Sequence, residues 1–183
     1  MKAYKSFQGA VSEIITPFTN QKLDEDLLER EVDFQIQSGI AGLFANGLAS
    51  EGLLMSLEER IRVAKIVVDK VSGVIPVMAN ITAQNTQEGV WLAEQYANLG
   101  ADALCITQPM VYGFTQPALY EHFSAILCAT DLPVCIYNAP QSGNILAPQT
   151  VAKLFLEHGN AHYYKESTID IVHIQNTMRL IGD

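Results

Sequence analysis

The residue with the most distinctive chemistry in this chain is Lys165, in the run Ala161-His162-Tyr163-Tyr164-Lys165-Glu166-Ser167. A lysine at the inner end of an apolar and aromatic run is an unusual placement. Desolvation there disfavours the ammonium form and makes a neutral amine available. Such an amine can attack a carbonyl carbon and form a Schiff base. A second apolar run, Leu132-Pro133-Val134-Cys135-Ile136-Tyr137-Asn138, also ends in hydrogen-bonding side chains. Taken alone, any lysine is more often a solvated surface charge, and any tyrosine a core residue with its hydroxyl satisfied. What changes that weighting is the order of the elements that carry Tyr137 and Lys165.

Short apolar runs alternate with longer amphipathic ones along the whole chain. Strands are expected over residues 10–15, 41–45, 75–81, 101–106, 132–138 and 161–165. Helices are expected over 23–38, 56–71, 86–99, 116–128, 148–158 and 168–180. Ser56 followed by Glu59 reads as a capping box, and Gly100 ends the third helix. Phe34 and Trp91 fall on helices and read as packing residues. Continuous apolar strands joined by helical crossovers predict a parallel sheet covered by helices. A doubly wound open sheet and a (β/α)8 TIM barrel both fit that pattern. No phosphate-binding glycine loop follows the first strand, which disfavours a dinucleotide fold. In a barrel, the carboxyl ends of the strands build the site. Those ends carry Thr16, Asn46 with Gly47, Asn80, Thr107, Tyr137 with Asn138, and Lys165.

Composition narrows the class. The chain has 183 residues, 49% hydrophobic and 17% charged, enough for one globular unit with a real core. Its net charge of -9 argues against nucleic acid or an anionic membrane as partner. The three cysteines, Cys105, Cys128 and Cys135, show no metal or CxxC spacing and read as buried reduced thiols, consistent with a cytoplasmic location. The four histidines form no ligand pattern, so no metal is assigned. The basic start Met1-Lys2-Ala3-Tyr4-Lys5-Ser6 has no apolar stretch after it, so no signal peptide or membrane span is expected.

The motifs together resemble the dihydrodipicolinate synthase / N-acetylneuraminate lyase family of pyruvate-linked, Schiff-base barrel enzymes. Four stretches carry the resemblance: Gly9…Thr16-Pro17-Phe18, Gly47…Glu51, Tyr137-Asn138-Ala139-Pro140 (the YNxP motif), and Lys165-Glu166-Ser167. Tyr137 and Lys165 are 165−137=28 positions apart, as the family requires. The resemblance implies a single TIM-barrel domain over 1–183, of which the chain supplies about six β-α units. It ends at Ile181-Gly182-Asp183, whereas a whole barrel takes about 250 residues, so the seventh and eighth units are expected to be missing.

The resemblance also implies a mechanism. Lys165 attacks C2 of a 2-keto acid, the imine serves as electron sink, and Tyr137 donates and accepts protons. Because the lysine supplies the electron sink, neither metal nor organic cofactor is needed. Pyruvate is the expected partner, and a homo-oligomer, tetramer or dimer, the expected assembly. Tyr112 is an interface candidate, and Asn138 and Pro140 hold the turn. For Glu51, contact with loop NH groups and contact with substrate both stay open.

Three departures from the family stand out. After Gly47 it has two hydroxylated residues that bind the keto-acid carboxylate and relay a proton; here they are Leu48 and Ala49, so Ser50 or backbone NH groups of the turn are the expected substitutes. The arginine that the synthase branch carries after YNxP is missing from Gln141-Ser142-Gly143, and its intersubunit tyrosine falls on Val111. These two departures disfavour true dihydrodipicolinate synthase activity. Glu13 replaces a small apolar residue on the first strand and is a candidate substrate-reading or acid/base group, the alternative being a pairing within a polar layer. Three functions follow: an aldolase or lyase on a sugar-derived 2-keto acid, including sialic-acid-like ones; a 2-keto-3-deoxy sugar acid dehydratase or hydratase-aldolase; and a catalytically weakened keto-acid binder, for which Leu48 and Ala49 speak.

Overall fold

The computed structural model describes residues 6–182. The N-terminal segment Met1 to Lys5, read above as free of a signal, lies outside the described residues. In chain order the elements are β1 (Val11–Glu13), a small hairpin of β2 (Phe18–Thr19) and β3 (Lys22–Leu23), α1 (Glu25–Gln37), β4 (Gly42–Ala45), α2 (Leu57–Val71), β5 (Val77–Asn80) and α3 (Thr86–Leu99). They continue with β6 (Ala103–Thr107), α4 (Gln116–Cys128), β7 (Val134–Asn138), a 3-10 turn at Pro140–Ser142, α5 (Pro148–Glu157), β8 (Ala161–Glu166) and α6 (Ile171–Ile181). The six-stranded sheet runs β1-β4-β5-β6-β7-β8, strictly in chain order. A doubly wound sheet reverses its strand order at a switch point; this one never does. Six β/α units wound one way are those of a (β/α)8 barrel.

The chain divides into two compact units, Met1–Asn80 with Gln95–Leu104, and Ile81–Glu94 with Cys105–Asp183. In the first, β4 pairs in parallel with β1 (Glu13 opposite Phe44) and with β5 (Ala45 opposite Ala79). Its core joins Ile14, Leu43, Ala45 and Val77 of the sheet to Leu28 and Val32 of α1 and to Val63, Ile66, Val67 and Val71 of α2. The 3.6-residue period puts those helix positions on one stripe. The capping box is present: Ser56 Oγ accepts from the Glu59 NH, and the Glu59 carboxylate accepts from the Ser56 NH. In the second unit, Leu119, Phe123, Ile126 and Leu127 of α4 are buried along one face, and α5 buries Val151 and Leu154. Gly89 on α3 admits Ile126, whose Cδ1 lies 2.6 Å from where a Cβ would stand.

Several boundaries differ from the sequence reading for local reasons. The first helix begins at Glu25, not 23, because Lys22 and Leu23 pair back onto Phe18 and Thr19 while the Asp24 carboxylate caps the Leu27 NH. The last begins at Ile171, not 168, because Asp170 caps the Val172 and His173 NH groups. Cys105 and Cys135 are buried, but Cys128 is exposed at the last turn of α4. Phe34 is 61% exposed rather than packed. It lies two residues beyond Val32, about 200° around the helix from the buried stripe. Among the described residues no helix is long and apolar enough to cross a membrane.

Candidate active site

Lys165 and Tyr137 are register partners on the parallel pair β7 and β8. Side chains of register partners leave the same face of a sheet. The Lys165 Nζ accordingly lies over the Tyr137 ring, 4.1 Å from its centroid. Tyr137 is 5% exposed, whereas Lys165 is half-buried rather than sealed in the core. The third member is Ser167, whose hydroxyl donates to Tyr137 Oη at 3.1 Å. Ser167 is two residues beyond Lys165, just past the end of β8, where its NH still donates to the Asn138 carbonyl at 3.2 Å. The hydroxyl's donation leaves the tyrosine's own proton available to another acceptor. The sequence showed Ser167 only as part of a motif; the period of two along β8 is the signal that could have singled it out.

The opposite face of the same strand ends holds a polar lattice. Asn138 pairs in register with Glu166, and its Nδ2 donates to Glu166 Oε2 at 3.0 Å and lies 3.1 Å from His173 Nε2 on α6. Its Oδ1 accepts from the Gln108 amide and from the Leu146 NH. Gln108 Oε1 in turn accepts from the Ala139 NH at 3.1 Å, which fixes the chain just past Tyr137. Glu166 also accepts from the Tyr164 hydroxyl and from the Thr168 NH. Burial pushes the Glu166 carboxyl up, but the Tyr164, Thr168 and Asn138 donors outweigh it and hold the group below the usual carboxylate range. Tyr164 is pushed well above its ordinary value, first by burial and then by its bond to the Glu166 carboxylate. Asn138 thus has the structural role read for it, together with partners the sequence did not reveal.

In the first unit, the turn after β4 is unusually tight. Asn46 and Glu51 both adopt left-handed backbone, at φ of 59° and 58°. The Gly52 NH returns to the Gly47 carbonyl at 3.0 Å and the Glu51 NH to that of Leu48 at 3.2 Å. Ser50, 1% exposed, donates its NH to Glu13 Oε1 at 3.0 Å, and its hydroxyl donates to the Ile14 carbonyl at 2.5 Å. Both donors expected to serve an incoming carboxylate are thus engaged within the chain. Glu13, read as a substrate or acid/base group, is anchored in a polar layer by Ser50. Leu48 is half-buried, and Ala49 and Glu51 are exposed. Thr16 is buried, with no hydrogen-bond partner for its hydroxyl among the described residues. Asn46 and Asn80 are fixed in structural bonds: Asn46 Nδ2 donates to the Arg60 carbonyl at 2.8 Å and to Tyr96 Oη at 2.9 Å, and Asn80 Nδ2 to the Asn46 carbonyl at 2.9 Å. In the second unit, Tyr112 is 72% exposed beside Val111, which takes a φ of 78°. A left-handed β-branched residue marks a loop under strain.

The dihydrodipicolinate synthetase family model matches residues 6–183. The chain belongs to that family. It is 35% identical over 178 residues to the 4-hydroxy-tetrahydrodipicolinate synthase of Pelobacter propionicus, covering 97% of this chain and 61% of that protein. Among solved structures it is similar to the dihydrodipicolinate synthase of Aquifex aeolicus, with a TM-score of 0.94 and 30% identity over 97% of this chain and 61% of that one. YagE, a prophage protein of the same family from E. coli K12 in complex with pyruvate, gives a TM-score of 0.91 at 26% identity over 96% and 59% of the two chains. The chain thus spans about 61% of the length of the curated relatives it matches. Relatives at this identity carry the synthase name. The sequence argument against synthase activity is not supported.

Proposed function

We propose that this chain carries the imine-forming centre of a carbon–carbon lyase of the aldolase type, acting on pyruvate or a closely related 2-keto acid. The observation that carries the reading is the Lys165–Tyr137 pair, an amine stacked over a phenol ring whose hydroxyl is oriented by Ser167. The neutral Lys165 amine adds to the C2 carbonyl, forming the C–N bond as the carbonyl oxygen takes up a proton. Loss of that oxygen as water gives the protonated imine. A proton leaves C3 to give the enamine, whose C3 attacks an aldehyde, or the same steps run backwards as cleavage. The Tyr137 hydroxyl carries the proton in this reading, and such transfer typically contributes 10²–10⁴-fold. Support for a pyruvate-type acid comes from the pyruvate complex of the relative from E. coli.

Cleavage of a sugar-derived 2-keto acid and condensation of pyruvate with an aldehyde both pass through a Lys165 imine, and a dehydratase shares that chemistry as well. A tetramer or dimer is in keeping with the exposed Tyr112 loop. The test is reductive trapping: the full chain is incubated with pyruvate, borohydride is added, and intact mass is followed by peptide mapping. One reduced pyruvate on Lys165, absent in Lys165→Arg, is the expected result. No adduct in protein shown to be folded would overturn the reading.

A further inference from the structure

The ends of α4 and α5 bring a thiol, an imidazole and a hydroxyl together, just before β7 and β8 begin and away from the Lys165–Tyr137 pair near the carboxyl ends of those strands. Ser124 and Cys128 lie one turn apart on α4, and His158 is the residue at which α5 ends. His158 Nε2 lies 2.9 Å from the Ser124 hydroxyl, and its Nδ1 lies 3.9 Å from the Cys128 sulfur. Each ring nitrogen therefore has a partner. The backbone on either side of Cys128 is held as well. Asn160, two residues past His158, donates from Nδ2 to the Leu127 carbonyl at 3.0 Å and to the Thr130 carbonyl at 2.8 Å. Cys128 is exposed, whereas Cys105 and Cys135 are buried. A nucleophile, a base within its reach and a third group that orients the base together make an activated nucleophile. Cys128 is the last residue of α4, where the carbonyl end of the helix disfavours an anion. Its ionisation therefore depends on His158 taking the proton.

We propose that Cys128 is a modification site for small-molecule disulfides, with His158 as its base and Ser124 as the group that orients the base. With Nε2–H donating to Ser124 Oγ, Nδ1 accepts the Cys128 thiol proton. The resulting thiolate is the nucleophile. It attacks one sulfur of the disulfide, and the new S–S bond forms as the old one breaks. The leaving thiolate takes the proton from the imidazolium and departs as a thiol. Cys128 is oxidised and the departing half of the disulfide is reduced, so the disulfide is the only oxidant required. No residue of the imine-forming centre takes part.

The probe is glutathione disulfide, added to the full chain at neutral pH, with the mixed disulfide followed over time by intact mass and peptide mapping. One glutathionyl group is expected, on Cys128 and on neither Cys105 nor Cys135. A neighbouring base that raises the thiolate fraction about tenfold still leaves a rate gain of about 3-fold, because nucleophilicity falls as thiol basicity falls. In folded protein, His158→Gln is therefore expected to slow the reaction about 3-fold or more, with Ser124→Ala in between. In urea, where the loops no longer hold His158 against Cys128, wild type and His158→Gln are expected to react at one rate. That control assigns the native difference to the folded geometry. Should His158→Gln not fold, wild type decides alone: native Cys128 must react about 3-fold or more faster than Cys128 in urea at the same pH. Equal native rates for wild type and His158→Gln, a native rate no faster than the unfolded one, or an adduct on a buried cysteine in place of Cys128 would overturn the proposal.

Discussion

Ser167→Ala isolates the contribution of one hydroxyl to the chemistry at Tyr137. In the structure the Ser167 hydroxyl donates to Tyr137 Oη at 3.1 Å, a neutral, partly buried bond. A bond of that kind is worth about 1 kcal/mol net. If all of it orients the phenol in the transition state, the rate of imine formation falls about 5-fold, since about 1.4 kcal/mol corresponds to tenfold. Tyr137→Phe removes the proposed proton carrier and is expected to cost about 10²-fold or more. The assay is single-turnover formation of the borohydride-trappable Lys165 adduct at saturating pyruvate. It reports chemistry rather than product release. Ser167→Cys, which keeps only a weak donor, should fall between wild type and alanine. Two results would refute the reasoning: a Ser167→Ala rate equal to wild type, or one as low as Tyr137→Phe. The first would mean that the phenol needs no orienting donor. The second would mean that Ser167 itself moves the proton.

Three further outcomes follow from the surroundings. His122 is buried, with Nδ1 bonded to the Thr86 hydroxyl at 2.9 Å and Nε2 lacking a partner among the described residues, and burial brings its pKa from 6.5 down to about 4. Its neutral form therefore stabilises the fold above pH 6.5, and that contribution is lost as pH falls through about 4. Urea unfolding at pH 7 and pH 4 should show wild type losing about 3 kcal/mol more than His122→Gln over that range, and equal losses would refute it. Removing the Glu166 carboxylate strands the donors of Asn138, Tyr164 and Thr168. Glu166→Ala should cost about 3 kcal/mol by denaturant titration at pH 7, a penalty that shrinks in acid because the group's lowered pKa contributes stability only while it is ionised. Gly47→Ala forces a Cβ against Glu13 and within 2.6 Å of Phe44 Cε1. Its loss of melting temperature should be partly recovered in the Glu13→Ala double variant, while strict additivity would place the clash on Phe44 alone.

The long helices were legible because their signals are local and repeated. Residues 86–99 and 116–128 are helical as read, and Ser56 with Glu59 forms the capping box that their spacing announces. The pairing of Tyr137 with Lys165 was legible as well, since each ends an apolar run and parallel strands align such ends. The hairpin at Phe18–Thr19 and Lys22–Leu23 was not legible: two-residue strands carry no period to detect. Nor could the bond between Glu13 and Ser50 be read, because 37 positions separate the two residues and only the fold brings them together. The desolvation argument singled out Lys165 but overstated its burial, because the strand carries it to a half-open end rather than into the core.

The alternation along β7 and β8 gives adjacent residues different duties. Tyr137 and Lys165 face one side; Asn138 and Glu166 face the other, where they bind each other and α6 through His173. A slip of one residue in register would exchange the two faces, setting a buried carboxylate against the phenol and a lysine amid the donors Glu166 now satisfies. The lattice of Asn138, Gln108, Glu166 and His173 therefore fixes the register in which the Lys165 amine lies over the Tyr137 ring. This separation explains how the chain can differ from its family's pattern at Leu48, Ala49 and Glu13 and still present the Lys165–Tyr137 pair. The substituted turn belongs to the first compact unit, whereas the residues that set the pair's geometry all belong to the second.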